Sequence, residues 1–276
     1  MTTLRWGLVG ASNIAATRIV SAMRNLGHEV PAVQDPSPDH VRAYVAANEI
    51  PEAITDLSAL LAEREVDAVY ISTINELHHG PTMAAAAAGK HVLCEKPLAL
   101  SVADAWEMVA ACEAADVVLA TNHHLPAAGT HRAMKELVAG GVVGRPLAVR
   151  VFHAVRLPDQ GWSAAAEDAV VSALRYEGEV LVQTHDAFTV AYAGTGLQVH
   201  GSDGSILATD VMTQEPIGHV VLRTSAGERE VPVPDRRDAD PRADSPQHCS
   251  LRLRLAHARQ PHSRYAAQRA RSQRGG

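Results

Sequence analysis

Hydrophobic positions in the first 124 residues follow two alternating periodicities. Short apolar runs that suit buried strands are followed by longer stretches whose apolar residues lie three or four positions apart, which is typical of helices. The predicted strands cover residues 5–10, 28–35, 66–73, 91–97 and 117–124. The predicted helices cover residues 11–27, 38–50, 58–65, 78–90 and 101–116. This alternation predicts an α/β fold with a doubly wound parallel sheet and helices on both faces.

The pattern changes after residue 128. One more helix, residues 129–141, and one strand, residues 147–158, precede a region in which apolar and polar residues alternate with period two. That alternation, with the turn signals "GSDGS" and "SAGE", is typical of antiparallel strands. We therefore expect an α/β domain over residues 1–122, an α+β domain with an open, largely antiparallel sheet over 123–235, and a separate tail over 236–276.

Composition indicates a soluble globular protein. The chain has 276 residues, of which 46% are hydrophobic and 20% are charged. Its first residues lead directly into a strand pattern rather than a signal peptide, and no apolar run is long enough to span a membrane. Cys94, Cys112 and Cys249 are few and far apart, which favours a reducing compartment over a disulfide framework. We expect a cytoplasmic protein with no membrane partner.

Charge is distributed unevenly along the chain. The formal net charge is −6, yet residues 236–276 carry ten arginines against three aspartates, so a basic tail follows an acidic body. Three interpretations of the tail remain open: a disordered solvated segment, a basic arm for nucleic acid, and a segment translated out of its native reading frame. The scarcity of aromatic residues argues against nucleic acid. The monotonous composition favours the third interpretation, with disorder as its consequence.

The turn after the first predicted strand carries a partial phosphate-binding pattern. Gly10, Ser12 and Ala15 occupy the three positions of the G-x-G-x-x-G/A motif, with serine in place of the middle glycine. The backbone of this turn, including Asn13 and Ile14, would bind a pyrophosphate at the start of the following helix. A tight turn without a ligand would carry the same residues, but its place in a doubly wound pattern favours a dinucleotide.

Asp35 ends the second predicted strand, where it bears on coenzyme choice. A carboxylate at this position accepts hydrogen bonds from the ribose hydroxyls of NAD and repels the 2′-phosphate of NADP. NADP recognition would favour a nearby arginine, whereas the chain offers Pro36 and His40, with Arg42 further along. This arrangement favours NAD over NADP. Asp35 is also a residue that favours turns, and both roles are compatible.

Several segments together resemble one family. They are "GLVGASNIA", "VDAVYISTINELHHGPTMAAAAAGKHVLCEKPLAL" and "ATNHHLPAAGTHRAMKELV". The resemblance is to the Gfo/Idh/MocA oxidoreductases, such as glucose–fructose oxidoreductase and inositol dehydrogenase, and it covers residues 4–235 with one large interruption. It implies a Rossmann domain that binds NAD or NADP, and a substrate domain whose open sheet also forms oligomers. It further implies hydride transfer between the nicotinamide and a carbonyl or hydroxyl carbon of a sugar or polyol, here an anhydroketose-like substrate.

The same resemblance implies roles for individual residues. Lys96, in the Glu-Lys-Pro sequence that ends the fourth predicted strand, would hydrogen-bond the substrate oxygen and help to transfer its proton, while Pro97 shapes the turn. An ammonium group there would stabilise the negative charge that develops on the oxygen as hydride reaches the carbon. The residues expected along the coenzyme are Ser72, Thr73, Asn75, His78, Glu95 and Asn122, with Trp162 either stacking near it or packing in the core.

Two pairs of adjacent histidines raise the question of a metal site. His78–His79 and His123–His124 cannot easily share one ion, because neighbouring side chains diverge, and no carboxylate spacing supports a site. We expect no metal, as the resemblance also implies.

The resemblance fails after Gly161-Trp162. The family continues there into a glycine-rich helix with a catalytic Asp-x-x-x-His, whereas residues 150–235 contain no such sequence, so the second domain is shortened. Lys96 would lack its usual partner in proton transfer, and the sheet would lose a covering helix. An alternative function is therefore an impaired dinucleotide-binding remnant. His153 is a minor candidate to replace the missing histidine. His185-Asp186 is another, although adjacent strand residues point to opposite faces.

Overall fold

A computed structural model of the chain describes residues 3–155, 169–190, 193–213 and 217–233. Trp162, the residues around it and the arginine-rich tail lie outside these ranges, so the predictions made for them are untested. Within the described ranges, no helix has both the length and the apolar character needed to cross a membrane.

The first half forms a parallel sheet of six strands. The strands are β1 (Arg5–Val9), β2 (Glu29–Gln34), β3 (Glu52–Ile54), β4 (Ala68–Ile71), β5 (His91–Cys94) and β6 (Leu119–Thr121). They are ordered β3-β2-β1-β4-β5-β6, so the chain reverses its direction of winding between β1 and β4. The predicted doubly wound sheet is confirmed. The sequence pattern missed β3, because three residues after Pro51 are too few to show a periodicity.

Helices cover both faces of this sheet. They are a π-helical segment (Ala15–Ile19) continued by α1 (Val20–Asn25), α2 (Pro38–Asn48), α3 (Leu57–Ala62), a 3₁₀ turn (Asn75–Leu77), α4 (His79–Ala87) and α5 (Val102–Ala114). Side chains fix the starts of three of them: Ser37, Asp56 and Ser101 each accept a hydrogen bond from a first-turn backbone N–H group, at 3.4, 2.8 and 3.0 Å.

The sheet separates two apolar cores. Leu8 and Tyr70 point into one core, and Val9 and Val69 point into the other, because successive strand residues face opposite sides. All four are at most 1% exposed. Burial of one such side chain stabilises the fold by roughly 1.5–3 kcal/mol. Because these strands are buried on both faces, their carboxyl ends have fixed positions along one edge of the sheet.

The described residues of the second half form a seven-stranded sheet covered by one helix. The elements are α6 (Gly129–Ala139), β7 (Pro146–Ala154), β8 (Ala169–Arg175), β9 (Leu181–Ala187), β10 (Thr195–Gly201), β11 (Gly204–Thr209), β12 (His219–Thr224) and β13 (Gly227–Glu230). The order is β13-β12-β11-β10-β7-β9-β8, and every pair is antiparallel except β7 with β9. Met134 of α6 packs with Val199, Ile206 and Val220 against this sheet.

The β8–β9 end of this sheet is uncovered by the described residues. Six of the seven residues of β8 are exposed. Apolar side chains stand on both faces, with Val170 41% and Val171 68% exposed, and Leu181 of β9 is 54% exposed. A shortened second domain, which stays a prediction, would leave part of its sheet without a covering helix in this way.

The cysteines within the described ranges are buried and free. Cys94 ends β5 and Cys112 lies in α5. Burial raises the pKa of the Cys94 thiol to about 12, so this group stays protonated and unreactive. Cys94 and Cys112 therefore form no disulfide in this structure.

An ion pair ties the start of β1 to the residue before β4. The Arg5 guanidinium donates to both carboxylate oxygens of Asp67, at 3.0 Å from Nε and 2.7 Å from Nη2, and the Arg5 backbone N–H donates as well, at 3.0 Å. The hydrogen bond from Arg5 lowers the pKa of Asp67 from 3.8 to about 2. The carboxylate is therefore favoured in the folded state, and its stabilisation is present above pH 3.8 and lost as the pH falls towards 2.

We expect Asp67→Asn to lower the urea midpoint of unfolding at pH 7, and the deficit to shrink as the pH falls from about 4 to about 2, because the wild-type carboxyl becomes protonated over that range. Urea titrations at several pH values measure this. Asp39→Asn is the matched control, because Asp39 pairs with Arg42 at 2.6 Å while its side chain is 96% exposed. A deficit that is constant with pH would contradict the role of this ion pair.

Candidate functional site

Five of the predicted site residues lie in one row at the carboxyl edge of the parallel sheet. The last residues of five strands are aligned in register, namely Val9, Gln34, Ile71, Cys94 and Thr121. The residues that directly follow them are Gly10, Asp35, Ser72, Glu95 and Asn122. Parallel sheets bind ligands at this edge, next to the strands where the winding reverses. The sheet thus brings together one site residue from each of five separated segments.

Gly10 allows the turn after β1 to contact the loop after β4. Its φ is +93°, and a Cβ atom would lie 3.0 Å from the backbone N of Thr73 and 3.1 Å from the carbonyl C of Ser72. Its own N–H donates to Gln34 O at 2.8 Å. The position therefore requires glycine for both its dihedral angle and its close backbone contact.

Ser12, which replaces the middle glycine of the motif, directs its side chain inward. Its hydroxyl donates to Ser72 Oγ at 2.7 Å and accepts the Ala15 N–H at 3.1 Å. The Tyr44 hydroxyl donates to its carbonyl oxygen at 3.0 Å. The first-turn N–H groups around Asn13 and Ile14 lack intrahelical partners, as at any helix N-terminus. That end of the helix carries the positive end of its dipole.

Asp35 fixes the turn after β2. Its carboxylate accepts the Ala11 N–H at 3.3 Å and the Ser37 N–H at 3.0 Å, and His40 Nδ1 lies 3.4 Å from the same group. The Asp35 side chain is 17% exposed and that of His40 is 55% exposed. The turn-forming role is thus present in the structure, with part of the carboxylate still open to a ligand.

Glu95 is oriented by two donors from neighbouring strands. Its Oε1 accepts the Tyr70 hydroxyl and the Asn122 side-chain amide, both at 2.6 Å, and its Oε2 accepts the Lys96 backbone N–H at 3.2 Å. Burial, followed by the hydrogen bond to Glu95, raises the pKa of Tyr70. Tyr70 therefore remains a donor at any working pH. Tyr70 was not among the site residues predicted from the sequence, although a tyrosine inside an apolar strand must find a partner for its hydroxyl.

Lys96 stands on the turn that follows β5. Its side chain is exposed, and among the described residues no ion pair engages its ammonium group. The Lys96–Pro97 peptide bond is cis. The backbone bond to Glu95 ties this turn to the Tyr70–Asn122 network, so the lysine projects from a fixed base at the edge of the sheet.

The loop after β4 places its residues differently. Ser72 is buried and Asn75 is exposed. The hydroxyl of Thr73 is buried without a hydrogen-bond partner among the described residues. His78 is 0% exposed, and its ring contacts backbone carbonyl oxygens rather than the open cleft.

The histidines of the second sheet separate as strand geometry predicts. His185 packs edge-to-face against Phe152 with ring centroids 4.9 Å apart, whereas Asp186 lies on the other face, where its Oδ1 is 3.5 Å from His153 Nδ1. His185 and Asp186 therefore do not form a dyad. His153 and Asp186 do come together, on a sheet face that also carries the exposed Val170 of β8.

A surface cluster joins α4 to α5. His79, Asp104 and Glu107 place potential ligand atoms within 4.8 Å of one another, and His79 Nε2 lies 3.0 Å from Glu107 Oε2. The carboxylates come from a different helix, which explains why spacing along the chain did not reveal them. The cluster is partly exposed, and an ordinary surface ion pair also accounts for it.

The edge of the first sheet fits a dinucleotide. A helix N-terminus faces the turn that Gly10 brings close to the next loop, Asp35 ends β2, and the buried hydroxyl of Thr73 lacks a partner among the described residues. A helix N-terminus suits a pyrophosphate, and a carboxylate at the end of the second strand suits a ribose.

Comparison with known proteins identifies the family. Residues 4–123 match the model of the Gfo/Idh/MocA oxidoreductase family, which has an NAD-binding Rossmann fold. The 1,5-anhydro-D-fructose reductase of Ensifer adhaerens is 42% identical over 275 aligned positions, which cover 83% of this chain and 83% of that enzyme. This chain belongs to the Gfo/Idh/MocA family. The resemblance predicted from the sequence is therefore confirmed.

Other members of the Gfo/Idh/MocA family match less of the chain. The inositol 2-dehydrogenase of Klebsiella pneumoniae (strain 342) is 31% identical, over 65% of this chain and 53% of that enzyme. A crystal structure of a 3-ketoreductase from Actinomadura kijaniata, in complex with TDP-benzene and NADP, aligns with a TM-score of 0.76. It is 21% identical and covers 90% of this chain and 88% of that chain, which confirms the two-domain fold.

The alignment with the Ensifer reductase also bears on the missing segment. The alignment has 275 positions but covers only 83% of the 276 residues of this chain, so it contains gaps in this chain. That the shortening lies within the second domain stays a prediction from the sequence.

Proposed function

We propose that this protein is an NAD(P)-dependent oxidoreductase that transfers hydride between a nicotinamide and a carbonyl or hydroxyl carbon of a sugar or polyol. The observation that carries the proposal is the row of five site residues at the carboxyl edge of the sheet, with Lys96 projecting beside it. Residues 1–122 bind the coenzyme, and residues 123–235 contribute to the substrate side.

The coenzyme, when bound, donates or accepts the hydride. The chain's own residues bind it and manage the charge on the substrate. Gly10, Ser12, Asn13 and Ile14 form the pyrophosphate turn, and Asp35 with His40 meets the adenosine ribose. Ser72, Thr73 and Asn75 line the coenzyme beyond β4, while Glu95 and Asn122 border the nicotinamide.

Lys96 holds the substrate oxygen. During reduction, negative charge develops on that oxygen, and the ammonium group stabilises the charge and then supplies the proton. Glu95 accepts the Lys96 backbone N–H and is itself held by Tyr70 and Asn122, so the turn keeps its orientation while the side chain reaches the substrate. Residues that fix the orientation of a catalytic group in this way lower the activation barrier, although they do not contact the reacting atoms.

The substrate we propose is an anhydroketose. The support is the 42% identity to the 1,5-anhydro-D-fructose reductase of Ensifer adhaerens, which matches both halves of the chain. The test measures binding of NADH and NADPH by fluorescence, then turnover with 1,5-anhydro-D-fructose and with myo-inositol. Coenzyme-dependent reduction of the anhydroketose supports the proposal. Binding without turnover of either compound would overturn it.

Asp35 supports NAD as the preferred coenzyme. Its carboxylate would accept hydrogen bonds from the ribose and repel a 2′-phosphate. We expect Asp35→Asn to shift the ratio of NADPH to NADH affinity by about tenfold towards NADPH, because the charge is removed while an acceptor oxygen for the Ser37 N–H is retained. Fluorescence titration measures both dissociation constants, with Asp39→Asn as the control. An unchanged ratio would remove Asp35 from coenzyme selection.

A second candidate function is a dinucleotide-binding remnant without turnover. It is favoured by the absence of an Asp-x-x-x-His sequence from residues 150–235 and by the gap in the alignment with the Ensifer reductase. In that case the His153–Asp186 pair does not replace the missing proton partner. Coenzyme binding with no turnover selects this candidate.

We also propose that the chain self-associates through the open face of its second sheet. Val171 and Leu181 are exposed there, on the same face as Phe152. Sedimentation velocity of the full chain tests the proposal, since a purely monomeric species over the accessible concentration range would contradict it.

A further inference from the structure

His78 occupies an unusual position between two loops of the site. The residue is 0% exposed, and both nitrogens of its ring contact backbone carbonyl oxygens. Nδ1 lies 2.8 Å from Pro97 O, and Nε2 lies 3.2 Å from Thr73 O. The Thr82 side chain donates to the His78 carbonyl at 2.8 Å, which fixes the residue at the start of α4.

The two carbonyl groups belong to two different segments of the proposed site. Thr73 follows Ser72 on the loop after β4, where the coenzyme is proposed to bind. Pro97 follows Lys96 on the turn after β5. The imidazole of His78 lies between these segments and contacts one backbone carbonyl oxygen on each of them.

The position of the ring proton decides which of the two carbonyl oxygens receives a hydrogen bond. A neutral imidazole carries one N–H, so in that form only one of the two oxygens receives a hydrogen bond. We assign the proton to Nδ1, because its contact with Pro97 O is the shorter of the two. The stronger link is therefore the one made to the residue next to Lys96.

We infer that His78 is a positioning residue that holds the Lys96 turn against the coenzyme loop, and so sets where the ammonium group stands relative to bound coenzyme. The inference rests on the proposed function of Lys96, but the geometry that supports it is independent of the substrate. In this role, the buried His78 side chain supports the Lys96 turn and does not contact the coenzyme.

His78→Phe is the first test, because phenylalanine fills the buried volume and cannot hydrogen-bond. We expect kcat to fall about 10- to 100-fold while the Kd for coenzyme changes less than about threefold, since a misplaced catalytic group costs rate more than ground-state affinity. His79→Gln is the matched control: the neighbouring ring lies at the surface beside Glu107, and its loss should leave kcat unchanged.

A double-mutant cycle separates positioning from general support of the fold. If His78 acts through Lys96, adding His78→Phe to Lys96→Ala should cause no further loss of kcat, because the group being positioned is already gone. Effects that multiply in the double variant would overturn the inference. They would mean that His78 acts through the fold as a whole.

Amide side chains in place of His78 test which of its two carbonyl contacts is needed for a high kcat. Asparagine places its NH₂ group near the former Nδ1, and glutamine places it near the former Nε2. We expect His78→Asn to recover most of the lost kcat and His78→Gln to recover little, because only the first restores the donor to Pro97 O. The reverse order would overturn the assignment of Pro97 as the important contact.

Hydrogen exchange of the coenzyme-free protein tests the inference even if the chain has no turnover. We expect the backbone amide of Lys96, which donates to Glu95 Oε2, to exchange hydrogen at least about tenfold faster in His78→Phe than in wild type, with no change in His79→Gln. Unchanged exchange there would overturn the inference whatever the activity. If Lys96→Ala leaves kcat unchanged while this exchange accelerates, the proposed function of Lys96 fails and the structural link stands.

Discussion

Lys96→Ala is expected to lower kcat for carbonyl reduction by about 10²- to 10⁴-fold while the Kd for coenzyme changes less than about threefold. The ammonium group stabilises charge that appears on the substrate oxygen only as the reaction proceeds, so its loss affects the transition state more than the bound ground state. Steady-state kinetics with NADH, together with fluorescence titration of coenzyme, separate the two quantities.

Two further variants sharpen this test. Lys135→Ala removes an exposed lysine from α6 and should leave kcat unchanged. Ethylamine added to the Lys96→Ala variant should restore part of the lost rate, because a free amine can occupy the vacated space and supply a proton. A full rate in the Lys96→Ala variant would remove Lys96 from the mechanism.

Gly10→Ala is expected to weaken coenzyme binding by at least about 100-fold. Two effects combine at this residue. A φ of +93° is unfavourable for alanine, and the new methyl group would lie 3.0 Å from the backbone N of Thr73. Backbone atoms cannot rotate away as a side chain can, so the turn after β1 and the loop after β4 must separate. That separation displaces the pyrophosphate turn from the rest of the site.

Gly89→Ala is the matched control for the dihedral effect. Gly89 has a φ of +69°, but a Cβ there meets nothing within 4 Å. This variant should lose roughly 1–2 kcal/mol of unfolding free energy through its backbone while binding coenzyme normally. Urea denaturation and fluorescence titration give the two values. Equal loss of binding in both variants would show that the close contact at Gly10 is unimportant.

The first half of the molecule could be predicted in outline because its signals are local. Strands that are apolar on both faces and helices with capping residues such as Ser101 are readable from single segments. Five strand ends also give the row of site residues, since parallel strands must place their carboxyl ends along one edge. The three-residue strand β3 escaped because it is shorter than any pattern that could reveal it.

The supporting residues could not be predicted because they depend on contacts between distant segments. Tyr70 reaches Glu95 across 25 positions of sequence, and His78 reaches Pro97 across 19. Asp104 and Glu107 come beside His79 only when α4 and α5 pack together. Side chains of this kind carry no periodic signal, so only the assembled fold shows what they do.

The second sheet was predicted as open and largely antiparallel, and that prediction is confirmed. Its strand order was not deducible, because a parallel pairing of β7 with β9 places strands side by side that are separated along the chain by β8. The shortened second domain stays a prediction, and its signal was the loss of an expected pattern rather than the presence of a new one.

The uncovered strand β8 has a consequence for handling the protein. It is the last strand of its sheet, six of its seven residues are exposed, and its outer edge pairs with no other described strand. Unpaired backbone N–H and C=O groups beside exposed valines can pair with an extended segment of another molecule. Concentrated solutions should therefore lose material to precipitation seeded at this edge, and a charged residue in place of Val171 should keep more of the protein in solution.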